Sequence, residues 1–404
     1  MDRVLGRARD RQPAPGHAHG PGRQDPGGAA RPRRPRGRGA ADHGVRTVEP
    51  EQALAYRLVG HHLHRRTDAL TAIGACGIQD SPPGWAAVAL HARSHEDRPT
   101  GRSVVQVNAM RNAPHLVPRA DVAVFTLAAI PPDDELAAVV GRLVATELAD
   151  AGYGIREALD RVGDAARDAL ADGPLGRDEL HQAFRERLPD ALLAWCPGCE
   201  SHHLRSGLWR TLGRLGITEM PAKATWSLLD PPVTADPVQA RAELARRFLR
   251  CFGPATHGEL ATWTQTSTRH ARRLIADLGD AVEQVLLAGR KRWVLADETA
   301  VLDDPPAARG VRLLGGFDPY VAQPDRATLV PDRALARRMF PSVGRPGVLL
   351  HDGRLVGLWR ARKAGSVLQV RLETLDGADL PDVQEEADAV ARLRGCDEAQ
   401  LRPA

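Results

Sequence analysis

Residues 196–203 read Cys-Pro-Gly-Cys-Glu-Ser-His-His, the densest group of metal-ligating side chains in the sequence. A Cys-x2-Cys turn can bring two thiolates onto one zinc ion, and a histidine a few residues later can supply a third ligand. Cys196, Cys199, His202 and His203 are therefore the candidate metal residues. All four lie within one short segment and no second Cys-x2-Cys follows. Thiols packed in a loop with no ion are the alternative, and no cofactor is required by the rest of the chain. A second chemistry is suggested by clustered cations. Arg269, Arg272 and Arg273 fall on one amphipathic segment, and Arg290, Lys291 and Arg292 follow at a Gly289 turn. Guanidinium and ammonium groups so grouped can neutralise phosphates, although a solvated helix face in an arginine-rich chain gives the same pattern. His61, His62 and His64 sit on different sides of one helix and are assigned no role. Gly315-Gly316 lacks the Lys-Ser/Thr of a phosphate loop.

The elements that must position these groups follow a recurring order. Apolar spacing predicts helices over Glu51 to Arg65, Thr67 to Ala75 and Pro83 to Arg93. Strands are expected over Ser103 to Val107 and His115 to Val117, joined by a turn at Asn112-Ala113-Pro114. Three helices and a hairpin is the winged-helix pattern. A second copy is read from helices over Glu135 to Ala149, Ile155 to Ala171, Arg177 to Arg187 and Leu208 to Leu215, with a strand over Ala224 to Leu229. A third has helices over Val238 to Cys251, His257 to Trp263 after a Thr256 cap, and Thr268 to Leu278 after Ser267. Its hairpin spans Val282 to Leu287 and Trp293 to Leu295. Gly173-Pro174-x4-Glu179-Leu180 and Gly253-Pro254-x4-Glu259-Leu260 share one pattern 80 residues apart, which points to a structural repeat.

From Val311 the apolar runs shorten to strand length, as in Val348-Leu349-Leu350, Leu355 to Trp359 and Val367 to Val370. An Asp352-Gly353 hairpin turn lies between the first two, and a helix is expected over Val383 to Leu393. The expected fold is α+β and mainly α, with tandem winged-helix domains followed by a small C-terminal β-barrel. The segments are a disordered arm over 1–46, winged helices over 47–130, 131–233 and 234–302, and the barrel over 303–404, with the last boundary near Asp303-Asp304-Pro305-Pro306.

Charge is unevenly spread. Residues 1–46 hold eleven arginines against four aspartates, a net of +7, so the whole-chain figure of +4 leaves residues 47–404 at about −3. The folded part is thus no generally basic body, and any polyanion must be met by a local stripe. Five cysteines in 404 residues argue against a disulfide framework and for a reducing compartment. The absence of a long apolar run and of a signal-peptide core predicts no membrane partner and a cytoplasmic location.

Several stretches resemble the bacterial winged-helix DNA-binding family that includes the AlkZ-type DNA glycosylases. They are Gly77 to Pro83 with the helix after it, Met110-Arg111-Asn112-Ala113-Pro114-His115, Phe317-Asp318-Pro319-Tyr320, Asp325-Arg326 and Leu329-Val330-Pro331-Asp332. The resemblance spans roughly residues 50–400. It implies three winged helices and a β-barrel around a channel for double-stranded DNA, in a monomeric, nucleoid-associated protein that excises alkylated or bulky bases. The catalytic signature of such proteins is Gln-x-Gln or Gln-x-Asp. Here the matching residues are Gln79-Asp80-Ser81, so Gln79 agrees, the third position is Ser81, and the acid stands one place early. Cleaving an N-glycosidic bond passes through a cationic sugar and needs an oriented water. Gln79 can hold the water and Asp80 can supply negative charge, whereas a helix cap accounts for Asp80-Ser81-Pro82 without chemistry. Arg111 and His115 flank the first hairpin's turn and are expected at DNA. A noncatalytic DNA-binding or regulatory protein on the same scaffold is the alternative.

Overall fold

The computed structural model describes residues 45–96, 102–375 and 381–403; the Arg/Gly/Pro-rich arm falls almost wholly outside them. Strand β1 (Thr47–Val48) leads into α1 (Pro50–Gly60), where Pro50 occupies a position whose N–H would have no helical partner and Gln52 reaches back to the Glu49 amide. Helix α2 (Ala69–Gly74) starts at Asp68, whose carboxylate accepts from Thr71 N at 2.9 Å. Strand β2 (Ile78–Gln79) and helix α3 (Trp85–His91) precede the hairpin of β3 (Val104–Asn108) and β4 (Pro114–Pro118). The sheet order is β2-β4-β3, with Gln79 opposite His115.

After α4 (Val122–Phe125), the expected helix over Glu135 to Ala149 is broken into α5 (Ala137–Val140) and α6 (Arg142–Asp150). The break falls at Gly141, whose φ of +92° a side-chain-bearing residue rarely adopts. Helix α7 (Ile155–Ala169), strand β5 (Leu175–Gly176) and helix α8 (Arg177–Arg187) follow. An additional hairpin, β6 (Leu193–Cys196) with β7 (Ser201–Leu204), then precedes α9 (Ser206–Arg214), β8 (Thr218–Ala222) and β9 (Thr225–Leu228). Next come α10 (Pro237–Phe252), α11 (His257–Thr264), α12 (Thr268–Ala276), β10 (Val282–Leu287) and β11 (Arg290–Leu295). Thr256 and Ser267 cap α11 and α12 through their side-chain oxygens.

The Gly-Pro repeat has a structural meaning. In one copy it precedes β5, which pairs with β9; in the other it precedes Ala255, which bridges to Trp293 of β11. The motif's glutamates reach back to the amides that open their helices, Glu179 to Gly176 N and Glu259 to Thr256 N, each at 2.7 Å. Leu180 and Leu260 are fully buried. One helix start and one core contact are thus specified twice by the same six-residue spacing.

Beyond α13 (Thr299–Asp303) lie β12 (Val311–Leu314), α14 (Arg326–Leu329), α15 (Arg333–Met339), β13 (Gly347–His351), β14 (Arg354–Ala364), β15 (Val367–Thr374), α16 (Gln384–Leu393) and β16 (Glu398–Pro403). The expected barrel is instead a curled, open five-stranded sheet in the order β12-β13-β14-β15-β16. The chain crosses through α16 and returns as β16 parallel to β15, which extends the sheet at the edge away from β12 and does not join its two edges. α16 then covers the face that closure would have buried, with Val383, Ala387, Val390 and Ala391 packed on Leu313, Leu349 and Val370.

Residues 45–404 form one compact unit, and its cores cross the boundaries expected from sequence. Leu58, Leu63 and Ala92 pack with Leu314, Tyr320 and Leu350, while Val105 and Val117 share a core with Leu244 and Phe248. Two buried arginines join the same parts. Arg93 makes a bidentate pair with Asp318 at 2.7 and 2.6 Å, and Arg57 reaches Asp325 at 3.0 Å, Gln323 at 2.7 Å and the carbonyls of Gly253 and Pro254. Arg93→Met leaves the Asp318 carboxylate buried without its cation and is expected to cost about 3–5 kcal/mol. Arg93→Met/Asp318→Leu should cost clearly less. Urea titrations of the two variants check this, and equal losses would disprove the role given to the pair.

Candidate functional site

Gln79 lies at the edge of a cleft of about 520 Å³, lined by Gln79, Arg111 and Ala113 from the first helix-and-hairpin unit, Thr262 from α11, and Phe317, Ala322, Gln323, Pro324, Arg326 and Arg345 from the C-terminal part. Gln79 is 7% exposed. Its Oε1 accepts a 2.6 Å hydrogen bond from Arg111 Nη2. A guanidinium only donates, so this bond fixes which way the amide faces and leaves its NH2 for another acceptor. Arg111 and Asn112 both hold left-handed backbone, φ +56° and +53°, a conformation costly for residues with a Cβ. The turn is anchored from behind, since Asn112 Nδ2 donates to Val139 O at 2.9 Å.

Three guanidinium groups converge on the cleft. Burial and then the neighbouring Arg345 and Arg326 cations pull Arg111 down to about 10, so it stays charged at neutral pH. Arg345 lies over the Phe317 ring at 4.6 Å, and Arg326 over Phe340 at 4.5 Å. No carboxylate is among the lining residues described. The nearby acids are engaged elsewhere: Asp318 with Arg93, and Asp325 with Arg57 and Arg292. Such a cleft suits an anion, or a polar group flanked by phosphates.

The other residues singled out from sequence are dispersed. Asp80 Oδ1 accepts from Gly84 N at 2.7 Å and Ala86 N at 3.0 Å, so its carboxylate caps α3; Ser81 follows, half-buried, in the turn before that helix. His115, 3% exposed, donates from Nδ1 to Ala113 O at 2.8 Å. Burial and Arg111 push it down to about 3, so it is a neutral core histidine beneath the turn. On α12, Arg269 pairs with Asp134 and Glu135, and Arg273 with Glu135, which an acidic turn over residues 133–135 presents to this face. Arg272 is exposed, as are Arg290 and Lys291 at the β10–β11 turn. Arg292 is buried and paired with Glu259 and Asp325. Alternation along β11 puts it on the same face as buried Val294, one step inside the exposed Arg290 and Lys291 of the turn. Cys196, Cys199 and His203 come together at the tip of the β6–β7 hairpin, with their ligand atoms within 4.8 Å of one another. His202 points to the opposite face, against Trp195.

Sequence reasoning missed Thr262, Gln323, Arg326 and Arg345 as cleft residues. Arg326 and Phe317 stood in stretches that carried the resemblance, but Arg345, between Gly344 and Pro346, had no local pattern to mark it.

A family model described as DNA glycosylase AlkZ-like matches residues 70–393. An interstrand DNA cross-link repair glycosylase of Streptomyces sahachiroi is 31% identical over 185 residues, 44% of this chain and 48% of the relative, so the match spans about half of that protein's length. The solved structure of Streptomyces sahachiroi DNA glycosylase AlkZ shares the fold, with a TM-score of 0.68 at 23% identity over 89% of this chain and 100% of that one.

Burial sets the acid response. His115 is pushed down to about 3, and His62, His181 and His270 to about 4, each first by desolvation. Between these values and the ordinary histidine range the unfolded chain binds more protons than the native one. The stability these groups contribute is complete above about pH 6.5 and is lost as pH falls. The urea midpoint should drop from pH 7.5 to pH 5, and His115→Gln should drop less steeply. An unchanged slope in that variant would remove His115 from the explanation.

Proposed function

The chain belongs to the AlkZ-like DNA glycosylase family, and on that premise we propose that it binds duplex DNA and hydrolyses the N-glycosidic bond of an alkylated or bulky base. The observation that carries the reading is Gln79, held by Arg111 at 2.6 Å in an arginine-lined cleft. The scaffold supports it. Each helix-and-hairpin unit, over 47–130, 131–233 and 234–302, adds a short extended piece to the second strand of its hairpin, the arrangement of a winged helix. On this reading three winged helices and the C-terminal sheet domain over 303–404 act as a monomer. Exposed Arg272, Arg290 and Lys291 contact phosphates, and Arg111, Arg326 and Arg345 take the backbone around an extruded nucleotide.

In the reaction, a water oxygen forms a bond to the anomeric carbon as the carbon–nitrogen bond breaks. The base takes the bonding pair, and the water's proton passes to solvent. A base alkylated on a ring nitrogen is already cationic and leaves neutral, so no general acid is demanded of the protein. Gln79 holds the water through the amide group that Arg111 leaves free, and the arginines fix the sugar by its phosphates.

The capping of α3 by Asp80 and the acid-free cleft favour a second reading, a noncatalytic DNA-binding protein on the same scaffold. Incubation with duplex carrying N7-methylguanine, scored for abasic sites, separates the two. The first expects product from wild type and a rate lower by about 100-fold or more in Gln79→Ala. Tight duplex binding with no product from either protein establishes the second for that lesion.

A further inference from the structure

We propose that Cys196, Cys199 and His203 form a structural zinc site at the tip of the β6–β7 hairpin, separate from the arginine-lined cleft and independent of the reading given to it. The hairpin fills residues 188–205 between α8 and α9, whereas α11 and α12 are joined by residues 265–267 alone. Its base is anchored by buried Leu193 and Leu204, but Cys196 to Ser201 at the tip are half-buried or exposed. A short two-stranded ribbon with so little core beneath it is marginal without a cross-link.

The local geometry is that of a metal knuckle. Trp195 pairs with His202 and Ala194 with His203, so alternation puts Cys196 and His203 on one face and Trp195 and His202 on the other. The turn closes with Cys199 N donating to Cys196 O at 3.3 Å, and Glu200 takes left-handed backbone at φ +47° to start the return strand. Two sulfurs and an imidazole nitrogen then lie within 4.8 Å of one another. Bond lengths of about 2.3 Å to sulfur and about 2.0 Å to nitrogen put the ligand atoms of a tetrahedral zinc about 3.5–3.8 Å apart, a contraction that small rotamer changes supply.

Two further observations point to a ligand. Both ring nitrogens of His203 are shut away from solvent with no hydrogen-bond partner among the described residues, and so is Nδ1 of His181. His181 is 5% exposed and lies against His203, ring centroids 4.4 Å apart, so a second imidazole stands beside the three-residue cluster. Two thiolates with neutral imidazole select zinc over harder ions.

The full chain, expressed with zinc supplied and purified under reducing conditions, is expected to carry about one zinc per chain by mass spectrometry of the metal. Cys196→Ser and His203→Ala should lose it, whereas His202→Ala should retain it. Cobalt exchanged into the wild type should show tetrahedral ligand-field absorption with sulfur-to-metal charge transfer, and chelation should expose two fast-reacting thiols. These wild-type readouts hold even if a variant fails to fold. Zinc-free wild type, zinc content unchanged by Cys196→Ser, or a Cys196–Cys199 disulfide in the reduced preparation would each overturn the proposal.

Discussion

The cleft exists because the segment from Phe317 to Arg326 is pinned at both ends by buried arginines of the first helical unit. Arg93 takes Asp318 at one end, and Arg57 takes Gln323 and Asp325 at the other. Both guanidinium groups are almost fully buried. In low dielectric neither charge is tolerable alone, so the pairing specifies where the segment sits. Asp325 also receives Arg292, which in turn holds Glu259, so the third helical unit is tied to the same point. First unit, third unit and C-terminal sheet are thus registered to one another by a few charged groups, and the cleft is the gap between them.

The same pairing decides the cleft's sign. Asp318 and Asp325 lie next in sequence to the lining residues Phe317, Pro324 and Arg326, but their charges are spent on Arg93 and on Arg57 with Arg292. Arg111, Arg326 and Arg345 face the opening without a lining carboxylate. A folded part with slightly negative net charge therefore presents a concentrated positive field in one place. On the outer surface the reverse has happened to α12, where Glu135 and Asp134 neutralise Arg269 and Arg273. Positive charge has been kept at the cleft, at Arg272 and at the β10–β11 turn.

Local chemistry was legible in the sequence where the cause was local. Thr256 and Ser267 cap the helices that their positions suggested, Asp352-Gly353 makes its hairpin turn at φ +48° and +77°, and the Gly-Pro repeat marks equivalent helix starts. The resemblance singled out Gln79, which lines the cleft, and spacing singled out His203, which lies with Cys196 and Cys199. What depended on distant partners was not legible. Arg292 looked like a turn-tip cation until its pairing with Glu259 and Asp325 was seen, and His115 looked like a surface group although 3% of it is exposed. The open sheet was missed because β16 pairs parallel with β15 only after a helical crossover. Apolar runs do not encode such a pairing.

The departure at Gln79-Asp80-Ser81 bears on which bases the proposed reaction can release. Asp80 cannot lend its charge to the sugar while it holds the amides of Gly84 and Ala86. Heterolysis of a neutral base creates new positive charge on the sugar and would meet Arg111, Arg326 and Arg345 unrelieved. A ring-alkylated base differs because it is cationic before the bond breaks. The charge only moves from base to sugar, and a positive field that acts on both states changes the barrier far less than one that acts on the transition state alone. On the proposed reading, the lost acid narrows the substrates to those that bring their own positive charge, and Gln79 is left with the smaller task of placing the water.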